Sequence, residues 1–350
     1  MRSLIFIFMC LAWGNALLQA QESRNFEIPS KKTLQTWLTE SKVPAVAIAT
    51  FASGVPDQYI VAGELAPEVP APADAMFNVA SLTKSISTYL ALILVSNGDW
   101  HLDEPLYHYW VDPDVKDDPQ HKKLTTRHVL SHRTGFVNWR WMHETKKLTF
   151  DHAPGSQLGY SGEGFEYMRK AMEKKFNMTF DQLVDSLVFA PLGMGDSHMI
   201  WRDQLDTARL ALPHQETGTL HEVYRRKEAV ASDDLMISLQ DMTTFGKALI
   251  AQKSISEKLY NEMIHPYSEM KPGTEMGLSW IIFPKVGEKE EYALFNAGSD
   301  PGTNAIMAFF PESQRGLIIM TNGDHGRDII MKVVATTIAE GPELLQRLGG

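Results

Sequence analysis

Ser81 and Lys84 stand three residues apart at the head of an apolar run, in Met76-Phe77-Asn78-Val79-Ala80-Ser81-Leu82-Thr83-Lys84 followed by Ser85 to Val95. The lead-in reads as a loop or short extended piece that turns into a helix, with Ser81 where the helix begins. On a helix the two side chains share a face about one turn apart. A serine hydroxyl is a poor nucleophile at neutral pH and needs a base within hydrogen-bond reach. A lysine desolvated by the surrounding apolar residues can have its pKa lowered enough to serve as that base. The helix N-terminus adds N–H groups near Ser81 that suit a developing oxyanion. The same spacing also fits a blander arrangement, an N-cap serine with a solvated lysine one turn on. A second Ser-x-x-Lys, Ser268 to Lys271, runs into Pro272-Gly273 with no apolar helix behind it and reads as a surface turn.

The elements that would hold Ser81 fall into three groups. Before it, Thr33 to Ser41 has helical spacing, and Val43 to Phe51 and Tyr59 to Ala62 form a hairpin around Ser53-Gly54. From Ser81 to about Tyr260 the pattern is mainly helical with long loops: Thr126 to His132, Glu163 to Phe176, Phe180 to Phe189 and Ser238 to Ala251. After it come strands at Gly277 to Phe283, Tyr292 to Phe295, Ala305 to Phe310 and Gly316 to Thr321, then a helix over Asp328 to Ala339. This order predicts an α+β fold. An antiparallel sheet is built from both chain ends and flanked by helices, with a mainly helical region inserted at about 82–260.

The chain has 350 residues, 44% hydrophobic and 22% charged, enough for a large core and unlike a disordered chain. The net charge of −10 and the lack of a basic stripe exclude a nucleic-acid partner. Residues 1–20 read as an export signal: Arg2, the apolar run Leu4 to Trp13, and Ala20 before a cut ahead of Gln21. The run is too short to span a bilayer, so no stable membrane insertion is expected after cleavage. Residues 21–350 then form one catalytic domain. Met9 before Cys10 is too bulky for lipoprotein processing, so the mature chain has no cysteine. That suits a bacterial periplasm or secretion, and excludes cysteine nucleophiles and cysteine metal sites.

Phe77 to Lys84 resembles the first motif of the serine β-lactamase and penicillin-binding-protein superfamily, in the branch of class C β-lactamases, D-Ala-D-Ala carboxypeptidases and related esterases. Four further segments agree in order. Thr125 to Phe136 is similar to the "LLTHTSGL" segment and Pro154 to Gly162 to the "PG…YSN" segment. Pro191 to Met194 is similar to the "PLGM" corner, and Asn296 to Gly302 occupies the third motif's place. The resemblance covers roughly residues 30 to 340. It implies that Ser81 attacks a carbonyl to form an acyl-enzyme and that Lys84 takes its proton. It implies that Tyr160 shares the relay from an opposite loop. The oxyanion would lie between the N–H groups of Ser81 and Ser299, beside Gly298. A phenol between two cations can ionise below its usual pKa of about 10.

Two positions depart from the pattern. Gly162 stands where the family carries an Asn that bonds the lysine and the substrate's amide. Asn296 stands where it carries Lys or His. Tyr160 thus has one cation fewer, and a substrate carboxylate loses a contact worth roughly 1.5–3 kcal/mol. Arg133 or Arg140 could supply that charge from a loop. The resulting expectation is an exported esterase or amidase acting on a small ester, amide or peptide of neutral or different charge. The alternatives are a D-Ala-D-Ala carboxypeptidase or β-lactamase, or a weakly catalytic member that binds peptide or glycan in the same cleft.

Other candidates are weaker. His128 and His132 have i,i+4 metal-ligand spacing but no following Glu in a metalloprotease pattern, so no metal and no cofactor are expected. Trp139, Arg140 and Trp141 read as a packed loop or a wall of the cleft. Asp300 reads as a turn residue and Asp112 to Asp118 as a solvated acidic loop. The oligomeric state is not legible.

Overall fold

Strands that alternate residue by residue between two apolar cores organise the molecule. The computed structural model describes residues 26–66 and 68–349; the expected export signal at 1–20 lies outside them. Helix α1 (Lys31–Ser41) precedes the hairpin of β1 (Ala45–Ala52) and β2 (Val55–Ala66), with β3 (Val69–Pro70) at its edge. The C-terminal part adds β8 (Ser268–Lys271), β9 (Thr274–Met276), β10 (Ile281–Val286), β11 (Glu291–Asp300), β12 (Thr303–Phe310) and β13 (Arg315–Thr321). Together they make one nine-stranded sheet in the order β3-β2-β1-β13-β12-β11-β10-β9-β8. The two chain ends meet where β1 pairs antiparallel with β13, Ala49 opposite Ile318.

Side-chain alternation assigns each face. Ala45, Ala47, Ala49 and Phe51 of β1 enter one core, while Val46 and Ile48 enter the other. The first core holds α2 (Thr83–Ser96), whose residues from Thr83 to Leu94 are all buried, the polar ones from Thr83 to Thr88 included. It also holds α4 (Gly162–Phe176), α5 (Phe180–Val184) and α6 (Leu239–Ile250), and it covers short α3 (Thr126–Leu130) and α7 (Glu257–Met263). The second core lies under α1, α8 (Gly326–Thr337) and α9 (Gly341–Leu348). Strand β4 (Met76–Asn78), which leads into Ser81, joins β5 (Ser197–His198), β6 (Leu210–Ala211) and β7 (Met236–Ser238) in a small sheet ordered β5-β7-β4-β6.

The sequence reading differs from the structure in particular places. Ser268 to Lys271 is an exposed edge strand that turns at Pro272-Gly273 rather than a turn throughout. Helix α3 stops at Leu130, because His132 takes a left-handed φ of 53°. The helix expected over Phe180 to Phe189 gives way to a π turn at Asp185–Phe189 ahead of Pro191, which has no N–H to continue the ladder. Asp112 is buried rather than solvated, bonded to Arg140 at 2.9 Å.

Candidate active site

Ser81 lies in a tight turn of 3-10 helix, Ala80–Leu82, between β4 and α2. Ala80 has φ 46°, a left-handed conformation that costs a non-glycine residue of order 1 kcal/mol. The surrounding residues hold that turn. The Asn78 side chain accepts from the Ala80 N–H at 2.7 Å, and the Thr83 hydroxyl donates to the Ala80 carbonyl at 2.6 Å. Val79 N–H donates to the Leu235 carbonyl at 3.0 Å, and Leu235 N–H donates back to the Thr83 hydroxyl at 3.1 Å. Strand β11 presses on the other side of the turn. A Cβ added to Gly298 would lie 2.9 Å from the Ser81 nitrogen and would overlap the Val79 carbonyl. Only glycine lets β11 approach the Ser81 amide so closely.

Lys84 is 2% exposed, which excludes the solvated lysine of the blander reading. Its ammonium donates to Ser81 Oγ at 3.0 Å and to the Ser232 carbonyl at 2.9 Å. It also sits 4.7 Å from the centre of the Tyr160 ring and 5.6 Å from that of Phe165. Burial pulls its pKa down from 10.5 to about 8, against the upward pull of the carboxylates of Asp233, Asp300 and Glu166.

Tyr160 stands at the mouth, 46% exposed, with its hydroxyl in hydrogen-bonding reach of Ser81. Its pKa is not lowered but pushed up to about 12: protein crowded around the phenol raises it most, Asp233 and Asp300 add to this, and the Ser81 bond opposes it. Tyr160 is therefore a neutral phenol at neutral pH. Its ring stacks on His132 at 4.4 Å between centres. His132 Nδ1 accepts the Ser161 N–H at 3.3 Å, and burial together with the charge of Lys84 lowers its pKa to about 3. His132 is thus a neutral platform. His128 is instead tied to Thr125 Oγ1 at 3.2 Å, so the two histidines do not converge.

The remaining predicted residues hold other posts. Gly162 opens α4, its N–H donating to the Asn138 side chain at 2.8 Å, beneath the indole of Trp139. Asn296 is 8% exposed and its amide donates to the Ser279 carbonyl at 2.8 Å, bracing β11 against the chain before β10. Ser299 is exposed at the end of the strand, and its hydroxyl donates to Asn304 at 2.9 Å. Arg140 is committed to acids of its own, whereas Arg133 meets a backbone carbonyl through one nitrogen. Arg140 binds Glu163 at 2.8 Å, Asp112 at 2.9 Å and Asp114 at 3.1 Å, and Arg133 donates to the Gly155 carbonyl.

Asp233, Asp300 and Glu166 were not anticipated as neighbours of Lys84. Asp233, Asp234 and Asp300 bring carboxylate oxygens within 4.8 Å of one another. Asp234 pairs with Arg226, while Asp233 and Asp300 are in hydrogen-bonding reach of each other. Burial first and Asp300 second push Asp233 up to about 8, and Asp300 is raised as well although its side chain still reaches solvent. The pair holds a proton at neutral pH. Asp234 and Asp300 also border a cavity of about 360 Å³ lined by Asn78, Trp201, Tyr224 and Arg226.

A serine bonded to a buried lysine of lowered pKa, faced by a phenol and a strand edge on an α+β sheet, defines a serine acyl-transfer hydrolase. The chain belongs to the β-lactamase family, whose model matches residues 31–335. It is 21% identical to the "Beta-lactamase" of Escherichia coli (strain K12) over 360 aligned residues, covering 89% of this chain and 94% of that protein. Among solved structures it resembles the octameric penicillin-binding protein homologue from Pyrococcus abyssi, with TM-score 0.73, 20% identity, and 92% of this chain and 78% of that one covered. It likewise resembles the D-alanine carboxypeptidase AmpC from Burkholderia cenocepacia, with TM-score 0.71, 17% identity, and 85% and 94% covered. It is a serine hydrolase of that family. Among the described residues no helix is long and apolar enough to cross a membrane.

Proposed function

We propose that this protein is an exported hydrolase that acts through an acyl-enzyme on Ser81, with an ester or amide of a neutral or non-carboxylate acyl group as substrate. The observation that carries the reading is the 3.0 Å bond between Ser81 Oγ and the buried Lys84 ammonium. Lys84, once it has lost its proton, removes the proton of Ser81 as Oγ attacks the carbonyl carbon. The oxyanion forms between the N–H groups of Ser81 and Ser299. The neutral Tyr160 phenol passes a proton to the leaving oxygen or nitrogen and recovers one from Lys84. Water then attacks the acyl ester by the same relay in reverse and frees Ser81. Export rests on the sequence of residues 1–20.

The rival reading, a β-lactamase or D-Ala-D-Ala carboxypeptidase, has the names of the relatives behind it. Against it stand the missing side chain at Gly162, the engagement of Asn296 with Ser279, and the engagement of Arg140 with Glu163, Asp112 and Asp114. Labelling with a fluorophosphonate probe and a fluorescent penicillin separates them, with Ser81→Ala as control. The expected result is probe labelling that needs Ser81, with little penicillin labelling. Strong penicillin labelling favours the rival, and no Ser81-dependent label with either reagent leaves only a cleft that binds peptide or glycan.

A further inference from the structure

His132 meets Tyr160 and both of its chain neighbours. Its ring lies against the Tyr160 ring, 4.4 Å between centres and 29° from parallel. Its carbonyl accepts the Gly159 N–H at 2.8 Å, one residue before the phenol. Its Nδ1 accepts the Ser161 N–H at 3.3 Å, one residue after it. The histidine is itself held. Its N–H donates to the Val129 carbonyl at 3.0 Å, and its left-handed φ of 53° takes the chain out of α3. Its side chain is buried, with the Phe165 ring of α4 5.6 Å away on centres. Ser161 is fixed from another direction, its hydroxyl donating to the Val137 carbonyl at 2.9 Å. The carbonyl bond to Gly159 is open to any residue at 132. The stack and the Nδ1 bond are not, and they set histidine apart from a side chain that only fills the core. An Nδ1 that accepts carries no proton, so the ring is neutral with its hydrogen on Nε2. Burial and the Lys84 ammonium both favour that neutral form.

We propose that His132 is the positioning residue of the proton relay: its ring stack and its Nδ1 bond fix the direction in which the Tyr160 hydroxyl points. This rests on the hydrolase reading above, in which Tyr160 gives its proton to the leaving oxygen or nitrogen and regains one from Lys84. Tyr160 stands at the mouth, 46% exposed, so much of its side chain meets water rather than protein that could hold it. A group that hands over a proton in one direction loses about a hundredfold in rate when misplaced by about 1 Å. His132 supplies the missing support and acts only through Tyr160.

The test uses two esters with one acyl group, p-nitrophenyl butyrate and ethyl butyrate. The first leaving group departs unaided, and the second needs a proton. The value of kcat/KM is measured for both on the wild type, His132→Asn, Tyr160→Phe and the double variant. Asparagine tolerates the left-handed backbone at 132 but has no ring to stack. His132→Asn is expected to lower kcat/KM for the ethyl ester about tenfold or more, and for the p-nitrophenyl ester less than about threefold. In the Tyr160→Phe background the same change should cost the ethyl ester less than about twofold, since no hydroxyl remains to be aimed. Equal losses on both esters, or a loss that adds in full to that of Tyr160→Phe, make His132 a support of the fold alone and overturn the proposal. If His132→Asn does not fold, His132→Gln is read in the same way. The wild type offers a measurement that needs no variant: nitrogen chemical shifts of the His132 ring should show the hydrogen on Nε2 throughout about pH 5 to 8. A proton on Nδ1 in that range overturns the proposal as well. Absence of Ser81-dependent turnover or labelling in the wild type would sink the hydrolase reading itself, a different result from an unchanged ratio of the two esters.

Discussion

Lys84 can act as a base only after losing its proton, and burial sets where that happens. With a pKa of about 8, roughly one lysine in ten is free base at pH 7. The value of kcat/KM on a neutral ester should therefore climb as pH rises from 6 and level off above about 8. Asp233 and Asp300 hold the ammonium charged, so the double variant Asp233→Asn/Asp300→Asn should move that rise to lower pH. A pH–rate profile that is flat in the wild type, or one that moves to higher pH in the variant, contradicts this electrostatic account. Lys84→Met should lower the acylation rate by roughly 10²–10⁴ while leaving the fold intact, since it removes the relay and not the packing. Ser81 and Lys84 could be singled out by their spacing at the head of an apolar run, whereas Tyr160 was indicated only by the resemblance of Pro154 to Gly162 to the family's second motif. Asp233 was not, since nothing in the acid pair at 233 and 234 reveals that the fold sets it beside a lysine 149 positions earlier.

The Ser81 turn depends on elements that touch it from three directions. Gly298→Ala should push β11 away from the Ser81 amide, lowering stability by about 2 kcal/mol and the acylation rate far more than stability alone explains. Thermal unfolding alongside single-turnover kinetics measures both, and wild-type acylation in this variant would show that β11 does not need to approach. The strands were easy to read as apolar runs bounded by turn residues, because β1, β12 and β13 are buried on both faces. Helix α9 lies beyond the last element read from the sequence, and its Pro342 sits in the first turn, where proline starts a helix well. Edge strand β8 was read as a surface turn because it runs into Pro272-Gly273 with no apolar helix behind it; its polar, exposed residues suit an edge. The link between Trp139 and Gly162 was invisible for a different reason: a glycine in a motif does not say what covers it.

Across the whole molecule, one buried ion cluster ties the sheet to its C-terminal helices. Arg315 on β13 binds Glu291 on β11 and binds Glu340, before α9, at 2.8 Å. Arg315→Met should cost roughly 2–4 kcal/mol, because Glu291 is left buried without its partner. Denaturant titration checks this, and a loss below about 1 kcal/mol would mean that Glu291 finds another partner. The joining of both chain ends in one antiparallel sheet was foreseeable from strand order alone. The four-stranded sheet that carries β4 to Ser81 was not, since its strands are two or three residues long and lie far apart in sequence. The central claim, that Ser81 is acylated with Lys84 as its base, is tested most directly by peptide mapping after reaction with a fluorophosphonate. One adduct on the Ser81 peptide, absent in Ser81→Ala and formed at least a hundredfold more slowly in Lys84→Met, is the predicted result. An adduct on another residue, or one formed at the wild-type rate without Lys84, would contradict it.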